Sequence, residues 1–140
     1  MLSRDRSYES IALGEEVSFG RVIGAQEVNA FAALTGDWNP LHMDSEYAAS
    51  TRFGERIAHG MLVASYFSAL VGMYLPGRRA LLLSQEVKFV KPVRLGEDIK
   101  FWGQVRRKID GLRLLEIDTR AINNLGEDIL RGSIQVMVLQ

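Results

Sequence analysis

The sequence GMLVASYFSALVGMYL, residues 60–75, decides the fold because it is apolar on every face of a helix and is followed at once by Pro76 and Gly77. A transmembrane helix needs a longer apolar run, and this stretch also carries Ser65 and Ser68. A helix that is apolar all round belongs in the interior of a protein. The stretch therefore predicts a buried central helix around which the remaining elements are arranged.

Four segments after this helix alternate between apolar and polar side chains with a period of two residues. They read ALLLSQEVKF (80–89), DIKFWGQVRR (98–107), LRLLEIDTRA (112–121) and DILRGSIQVMVL (128–139). Turn-forming residues separate them at 92–96, 110–111 and 123–126. We therefore expect four successive antiparallel strands.

The first part of the chain predicts one more strand and a short series of helices. Residues 15–23 show a modest strand alternation, and residues 25–35 have apolar side chains at helical spacing with Gly36 as a C-terminal cap. The segment DWNPLH (37–42) breaks regular structure, Asp44 caps a short helix, and residues 51–58 form a loop. Residues 1–140 are thus expected to form one α+β domain, with a sheet of about five strands around the central helix.

The composition excludes several classes of function. Lys and Arg total 17 and Asp and Glu total 17, so the positive charge that nucleic acid binding requires is missing. The chain has no cysteine, which removes disulfides and thiolate chemistry and fits a reducing compartment. The first ten residues lack the apolar core of an export signal. We expect a cytoplasmic protein that binds neither nucleic acid nor membranes.

Asp37 and His42 are the residues that best support chemistry. They flank Pro40, which restricts the loop between them, so a carboxylate and an imidazole can face one cavity. Such a pair suits acid–base catalysis and can polarise a water molecule. Asp, Asn and Pro are also ordinary turn formers, so residue types alone leave this open. His59 is distant in sequence, and two histidines make a zinc site formed by protein ligands alone unlikely on composition.

The run FAALTGDWNPLHMDSEYA (31–48) resembles the hydratase motif of the (R)-specific enoyl-CoA hydratases and the wider MaoC-like dehydratase family. A second run, FGERIAHGMLVASYFSALVG (53–72), is similar to the start of the central helix in that family. The resemblance covers most of the chain and implies a hot-dog fold.

The resemblance also implies roles for individual residues. It places the catalytic aspartate at Asp37, the catalytic histidine at His42 and a supporting asparagine at Asn39. The backbone N–H that stabilises negative charge falls on Gly60, and a serine near the pair falls on Ser68. A glycine that opens a buried helix agrees with this role on physical grounds, since its N–H has no partner within the helix.

The implied reaction is the reversible syn addition of water to a trans-2-enoyl-CoA, which gives the (R)-3-hydroxyacyl-CoA. Asp37 and His42 would bind the attacking water, and Gly60 would receive the developing enolate charge. We expect no metal and no redox cofactor, because the coenzyme A group belongs to the substrate.

Substrate contacts are less well defined by the sequence. Leu62, Tyr66, Phe67 and Val71 are candidates for the acyl pocket, although helical spacing is equally typical of a plain core. Candidates for the CoA phosphates are Arg52, Arg56, Arg78, Arg79, Lys88, Lys91 and Arg94. The family resemblance further implies a homodimer in which two sheets join edge to edge.

Two other functions remain open at this point. A hot-dog thioesterase would share the fold and ligand but direct water to the carbonyl carbon. A non-catalytic subunit of a heterodimeric dehydratase would bind the acyl thioester without turnover. The sequence also leaves open whether coenzyme A or acyl carrier protein presents the substrate.

Overall fold

The structure, a computed structural model, describes residues 1–140, and its elements follow one another in the predicted order. The helices are α1 (Ala25–Thr35), α2 (Pro40–Met43), α3 (Ser45–Ala49), α4 (Gly60–Ser65) and α5 (Phe67–Ala69), with a π-helical turn at Leu70–Tyr74. The strands are β1 (Glu16–Ile23), β2 (Ala80–Phe89), β3 (Glu97–Ile109), β4 (Leu114–Ile122) and β5 (Asp128–Val138). Two 3-10 turns lie at Tyr8–Ser10 and Asp110–Leu112.

The five strands form one antiparallel sheet in the order β1-β3-β4-β5-β2. Strands β3, β4 and β5 pair in sequence, as their turns predict, whereas β2 pairs with β5 and β1 pairs with β3. The segment between β2 and β3 therefore carries the chain from one edge of the sheet to its other half. As a result the two earliest strands, β1 and β2, form the two edges.

The central helix, which we define as residues 60–74, packs against the inner face of the sheet. Phe67 meets Phe101 edge to face with ring centroids 5.5 Å apart. A Cβ atom on Gly103 would lie 3.0 Å from the Leu70 side chain, so the missing side chain there lets the helix approach the sheet. Phe67, Leu70 and Phe101 are fully buried, and each such side chain stabilises the fold by about 1.5–3 kcal/mol.

One face of the central helix is exposed in the single chain, so the prediction of a helix buried on all sides is wrong. Met61 is 62% exposed, and Ser65 and Ser68 are exposed on the same face. These positions recur at intervals of four and three residues, which places them on one stripe of a helix. None of the helices in the structure is both long and apolar enough to span a membrane.

We expect Gly132→Ala to destabilise the protein, because β5 passes so close to β2 at this position. A Cβ atom on Gly132 would lie 1.9 Å from the carbonyl oxygen of Glu86, so the backbone must shift. Such overpacking costs about 1–3 kcal/mol of unfolding free energy, measurable by urea unfolding. The matched control is Gly111→Ala, since nothing lies within 4 Å of a Cβ there. Equal stability of the two variants would contradict the close approach of these strands.

Candidate active site

The DWNPLH segment is an ordered connection whose polar side chains bond to its own backbone. Gly36, with φ 80°, ends α1 in the left-handed conformation. The Asp37 carboxylate accepts a hydrogen bond from Asn39 N–H at 3.2 Å, and the Asn39 side chain accepts one from Leu41 N–H at 3.0 Å. Asn39 is thus the N-cap of α2, where an irregular loop was predicted. Pro40 fits as its first residue because it needs no hydrogen-bond partner there.

His42 lies on α2 and is held in one tautomer. Its Nδ1 is 2.8 Å from the carbonyl oxygen of Ile57, and because a carbonyl can only accept, Nδ1 carries the proton. Nε2 is then left as the free, basic nitrogen of the ring. This is the arrangement in which a histidine can accept a proton from a water molecule.

The surroundings of His42 hold its pKa below the ordinary value. Burial of the ring is the main cause, because it removes water from the charged form. The Ile57 carbonyl and Asp37 act in the opposite direction, while His59 and Arg56 lower the pKa further. His42 is therefore neutral at neutral pH and able to act as a base.

Arg56 fixes the DWNPLH segment (37–42) to the rest of the molecule. Its Nε donates to the carbonyl oxygen of His42 at 2.5 Å, and a terminal nitrogen donates to the side chain of Asn29 at 2.9 Å. These bonds join α2 to α1. The guanidinium is therefore engaged in holding the loop, which leaves it poorly placed to bind a substrate phosphate.

His59 belongs to the site although its distance along the chain gave no sign of this. Its ring lies against that of His42, with centroids 4.0 Å apart and planes inclined by 32°. Its Nε2 is 3.0 Å from the carbonyl oxygen of Asp37, to which it donates. The sequence signal that marks it is its position, immediately before the glycine that opens the central helix.

Asp37, His42 and His59 offer ligand atoms that all lie within 4.8 Å of one another. Two imidazoles and a carboxylate are donors that zinc accepts. However, one nitrogen of each ring is already bonded to a backbone carbonyl, and the remaining nitrogen of His59 is buried. The arrangement suits acid–base chemistry better than metal coordination.

Gly60 begins α4, and its N–H donates to no acceptor within the chain. The absence of a side chain matters here, because a Cβ atom would lie 2.9 Å from the ring of Phe89. A free N–H at the start of a helix is suited to stabilising negative charge on an oxygen. The glycine therefore lets the Phe89 ring pack closely against the start of the helix.

A cleft of about 400 Å³ contains both His42 and Gly60. Eight of its 13 lining residues are hydrophobic, and they include Val63, Phe89 and Ile129. Arg52 and Lys91 supply positive charge within the same cleft. Asp37 is exposed and lies beside the cleft rather than in its lining.

The cleft includes none of the four residues that the sequence suggested for the acyl pocket. Phe67 and Val71 are buried in the core, and Leu62 and Tyr66 line a separate groove between α1 and the central helix. The side of the central helix that lines the cleft is represented by Gly60 and Val63 instead. Ser68 is exposed and makes no hydrogen bond within the chain, so its supporting role stays a prediction.

The basic residues differ in how far they are engaged by acidic partners. Arg94 pairs with Glu55 at 3.1 Å, Arg79 pairs with Asp5, and Lys91 pairs with Glu127. Arg52 pairs with no carboxylate and lies over the ring of Phe53, with 4.9 Å between the guanidinium carbon and the ring centroid. Arg52 is therefore the cation of the cleft that is most available to a ligand.

The sequence and the fold match known proteins over most of their length. The MaoC-like domain family matches residues 10–124. The (R)-specific enoyl-CoA hydratase of Aeromonas caviae is 45% identical over 93 residues, which cover 66% of this chain and 69% of that protein. The (R)-specific enoyl-CoA hydratase of Rhodospirillum rubrum is 34% identical over 94% of this chain and 90% of that protein.

A solved structure shows the same fold. The R-hydratase of Pseudomonas aeruginosa, in its unliganded form, superposes with a TM-score of 0.93 at 34% sequence identity. The superposition covers 99% of this chain and 88% of that one. The chain therefore belongs to the MaoC-like domain family and has the hot-dog fold of the (R)-hydratases that it resembles.

Proposed function

We infer that this protein is an (R)-specific enoyl-CoA hydratase, which adds water reversibly to trans-2-enoyl-CoA and forms (R)-3-hydroxyacyl-CoA. The observation that carries the inference is that His42, which has a free basic ring nitrogen, and Gly60, whose N–H has no acceptor within the chain, line one mainly apolar cleft. The Asp37 carboxylate lies within 4.8 Å of a His42 nitrogen. A base, a carboxylate and an oxyanion donor are the groups that hydration of a conjugated thioester needs.

The reaction follows from the polarity of the substrate. The thioester carbonyl withdraws electrons, so water attacks the β-carbon and negative charge develops on the thioester oxygen. Asp37 and His42 hold this water, whose oxygen bonds to the β-carbon while its proton passes through the pair to the α-carbon. Gly60 N–H stabilises the enolate oxygen in between. Oxidation states balance without a redox partner, so the mechanism requires no cofactor.

The neutral state of His42 is essential to this scheme. A protonated ring could not accept the water proton, and burial holds its pKa below the ordinary value. The bond from Nδ1 to Ile57 keeps the free nitrogen available to the water. Activity should therefore persist to a lower pH than a solvent-exposed histidine would allow.

We expect Asp37→Asn and His42→Gln each to lower kcat at least about a hundredfold, because each removes one of the two groups that hold and deprotonate the water. The assay follows loss of the conjugated enoyl-thioester absorbance with crotonyl-CoA, and chiral analysis identifies the product. Asp98→Asn is the matched control, since this exposed carboxylate lies on β3, away from the cleft.

Other outcomes of the same assay identify the rival functions. Release of free coenzyme A without loss of the double bond would indicate a thioesterase. A folded protein that hydrates neither short nor long enoyl-CoAs, but hydrates an enoyl group on acyl carrier protein, would identify the carrier protein as the donor. Inactivity on both would indicate a non-catalytic subunit.

We propose that Arg52 binds a phosphate of coenzyme A. It is exposed, has no carboxylate partner and lies in the cleft with Gly60, whereas the charge of Lys91 is paired with Glu127. Arginine is suited to this contact because its planar guanidinium matches two phosphate oxygens. The apolar lining near Gly60 would then receive the thioester end of the substrate.

Arg52→Gln is expected to raise KM for crotonyl-CoA about tenfold and to leave kcat unchanged, because the contact is equally strong in the ground and transition states. The decisive comparison uses crotonyl-N-acetylcysteamine, which has no phosphates, and here KM should not change. Arg78→Gln is the control, since Arg78 lies outside the cleft, beside the C-terminus. An equal rise in KM with both substrates would contradict phosphate binding.

We also propose that the protein is a homodimer joined along β2. The three consecutive residues Leu81, Leu82 and Leu83 are 45%, 43% and 47% exposed. They lie at a bulge between Leu82 and Ser84 on β2, which is an edge strand of the sheet. An exposed apolar edge strand is a template for pairing with another strand. Phe89 at the end of the same strand lines the cleft, so a partner would lie beside the catalytic groups.

Leu82→Lys should convert the dimer to a monomer, because a buried unpaired charge at the edge opposes strand pairing. Light scattering after size exclusion measures the mass. Val22→Lys is the matched control, since Val22 is 54% exposed on β1, the other edge of the sheet. Dissociation by Val22→Lys, with Leu82→Lys still dimeric, would place the interface on the opposite edge.

A further inference from the structure

His59 is one of two buried polar residues in the chain, together with Thr119. It is 2% exposed, and its Nδ1 is buried without a hydrogen-bond partner. An unpaired buried nitrogen costs free energy, and an apolar residue of similar volume would avoid this cost. Packing alone therefore does not account for a histidine at this position.

His59 contacts or adjoins Asp37, His42 and Gly60, the three residues that act in the proposed mechanism. Nε2 donates to the Asp37 carbonyl at 3.0 Å, and the ring covers one face of His42 at 4.0 Å between centroids. The backbone of His59 precedes Gly60, and its carbonyl accepts hydrogen bonds from Leu62 and Val63 in the first turn of the central helix. A shift of His59 would thus displace all three groups at once.

We propose that His59 is a positioning residue for hydration, whose Nε2–H fixes the backbone of Asp37 and whose ring shields His42 from water. This inference rests on the proposed hydratase activity. His59 makes no contact that would assign it a proton-transfer role, since its Nε2 is bonded to a carbonyl and its Nδ1 is buried. It acts through the two residues that hold the water.

The ring of His59 covers one face of the His42 ring. On its other side His59 contacts the ring of Phe31 on α1, with centroids 4.8 Å apart, which closes this side with apolar atoms. Exclusion of water from His42 is the main reason that its pKa is lowered.

The charged groups around His42 set the rest of its environment. Asp37 favours its protonated form, whereas Arg56, bonded to its carbonyl oxygen, disfavours it. Arg52 and Lys91 line the same cleft, and Lys91 is neutralised by Glu127. None of these four charges changes when His59 is replaced, but every His59 variant loses the effect of His59's own charge, which also lowers the pKa of His42.

Two substitutions separate the two roles. His59→Gln retains an N–H donor at the place of Nε2 and removes the ring, whereas His59→Phe retains a ring and removes the donor. In His59→Gln the exposed face of His42 gains water, so the pKa of His42 should rise toward its ordinary value. Both variants lose the effect of His59's own charge, but in His59→Phe the ring still excludes water, so that pKa should rise less than in His59→Gln.

Histidine NMR measures this directly, because the chain contains two histidines and each variant leaves His42 alone. Titration of the single remaining ring signal gives the pKa of His42 without any assumption about activity. An unchanged pKa in His59→Gln, or an equal rise in both variants, overturns the shielding role. This variant alone decides the point if His59→Phe fails to fold.

Kinetics test the role of the donor. With crotonyl-CoA, His59→Phe should lower kcat about ten- to a hundredfold with KM nearly unchanged, because Asp37 is misplaced in the catalytic step. His59→Gln should restore most of kcat at high pH. The acid limb of its profile, which is the fall of kcat/KM at low pH, should move to higher pH as the pKa of His42 rises. Equal kcat losses in both variants, with no movement of the acid limb, would contradict the positioning role and show that His59 only stabilises the structure.

Thr119→Val is the control for loss of a buried polar group. Thr119 is 1% exposed, its hydroxyl is also unpartnered, and it lies on β4 within the sheet. Its kcat and acid limb should match those of the wild type. Failure of the proposed function is recognised separately, since the wild type itself would then not hydrate crotonyl-CoA, whereas the NMR titration would still report the effect of His59.

Discussion

The packing of the central helix against the inner face of the sheet is the interaction on which the rest of the structure depends. It buries Phe67 and Leu70 against β3, where Gly103 removes the side chain that would hold the helix away. This contact fixes the direction of the helix and thereby the place of its first residue, Gly60. The free N–H of Gly60 is consequently a rigid feature, and electrostatic stabilisation needs rigid donors because no reorganisation is then required during the reaction.

The DWNPLH segment (37–42) is held in place by three bonds from the rest of the chain. Arg56 bonds to the carbonyl of His42, Ile57 bonds to its ring, and His59 bonds to the carbonyl of Asp37. All three partners lie in the segment that leads into the central helix. The start of the central helix therefore sets the position of the loop. As a result Asp37 and His42, the proposed proton-accepting groups, are fixed relative to Gly60, the proposed oxyanion donor.

Much of this arrangement follows from the sequence because each element has a local cause. The strand alternation predicts β2 to β5 within a few residues, and Gly36 and Asp44 mark the helix ends where they are observed. The short helix α2 was missed because Pro40 reads as a breaker, although it is well tolerated at the first position of a helix. The exposed stripe of the central helix was not predicted, because small residues such as Ser65 and Ser68 hardly interrupt an otherwise apolar sequence.

Long-range contacts set the limit of sequence reasoning at the site. Nothing local to His59 indicates that it stacks on His42, since tertiary packing brings the two rings together. Likewise, the pairing of β2 with β5 depends on the whole sheet rather than on any turn. The resemblance to known hydratases supplied Asp37, His42 and Gly60, whereas only the structure could supply the residue that connects them.

The site combines groups with opposing solvent requirements. Asp37 is exposed, while His42 is partly buried and its pKa is held below the ordinary value by that burial. A water molecule between them can donate to the carboxylate and to the imidazole, so neither group needs to change its charge before attack begins. If both were buried, the carboxylate would favour protonation of the histidine and a closed ion pair would replace the water. Keeping the carboxylate at the surface and the imidazole beneath His59 avoids that outcome, which is why the burial of these neighbours differs.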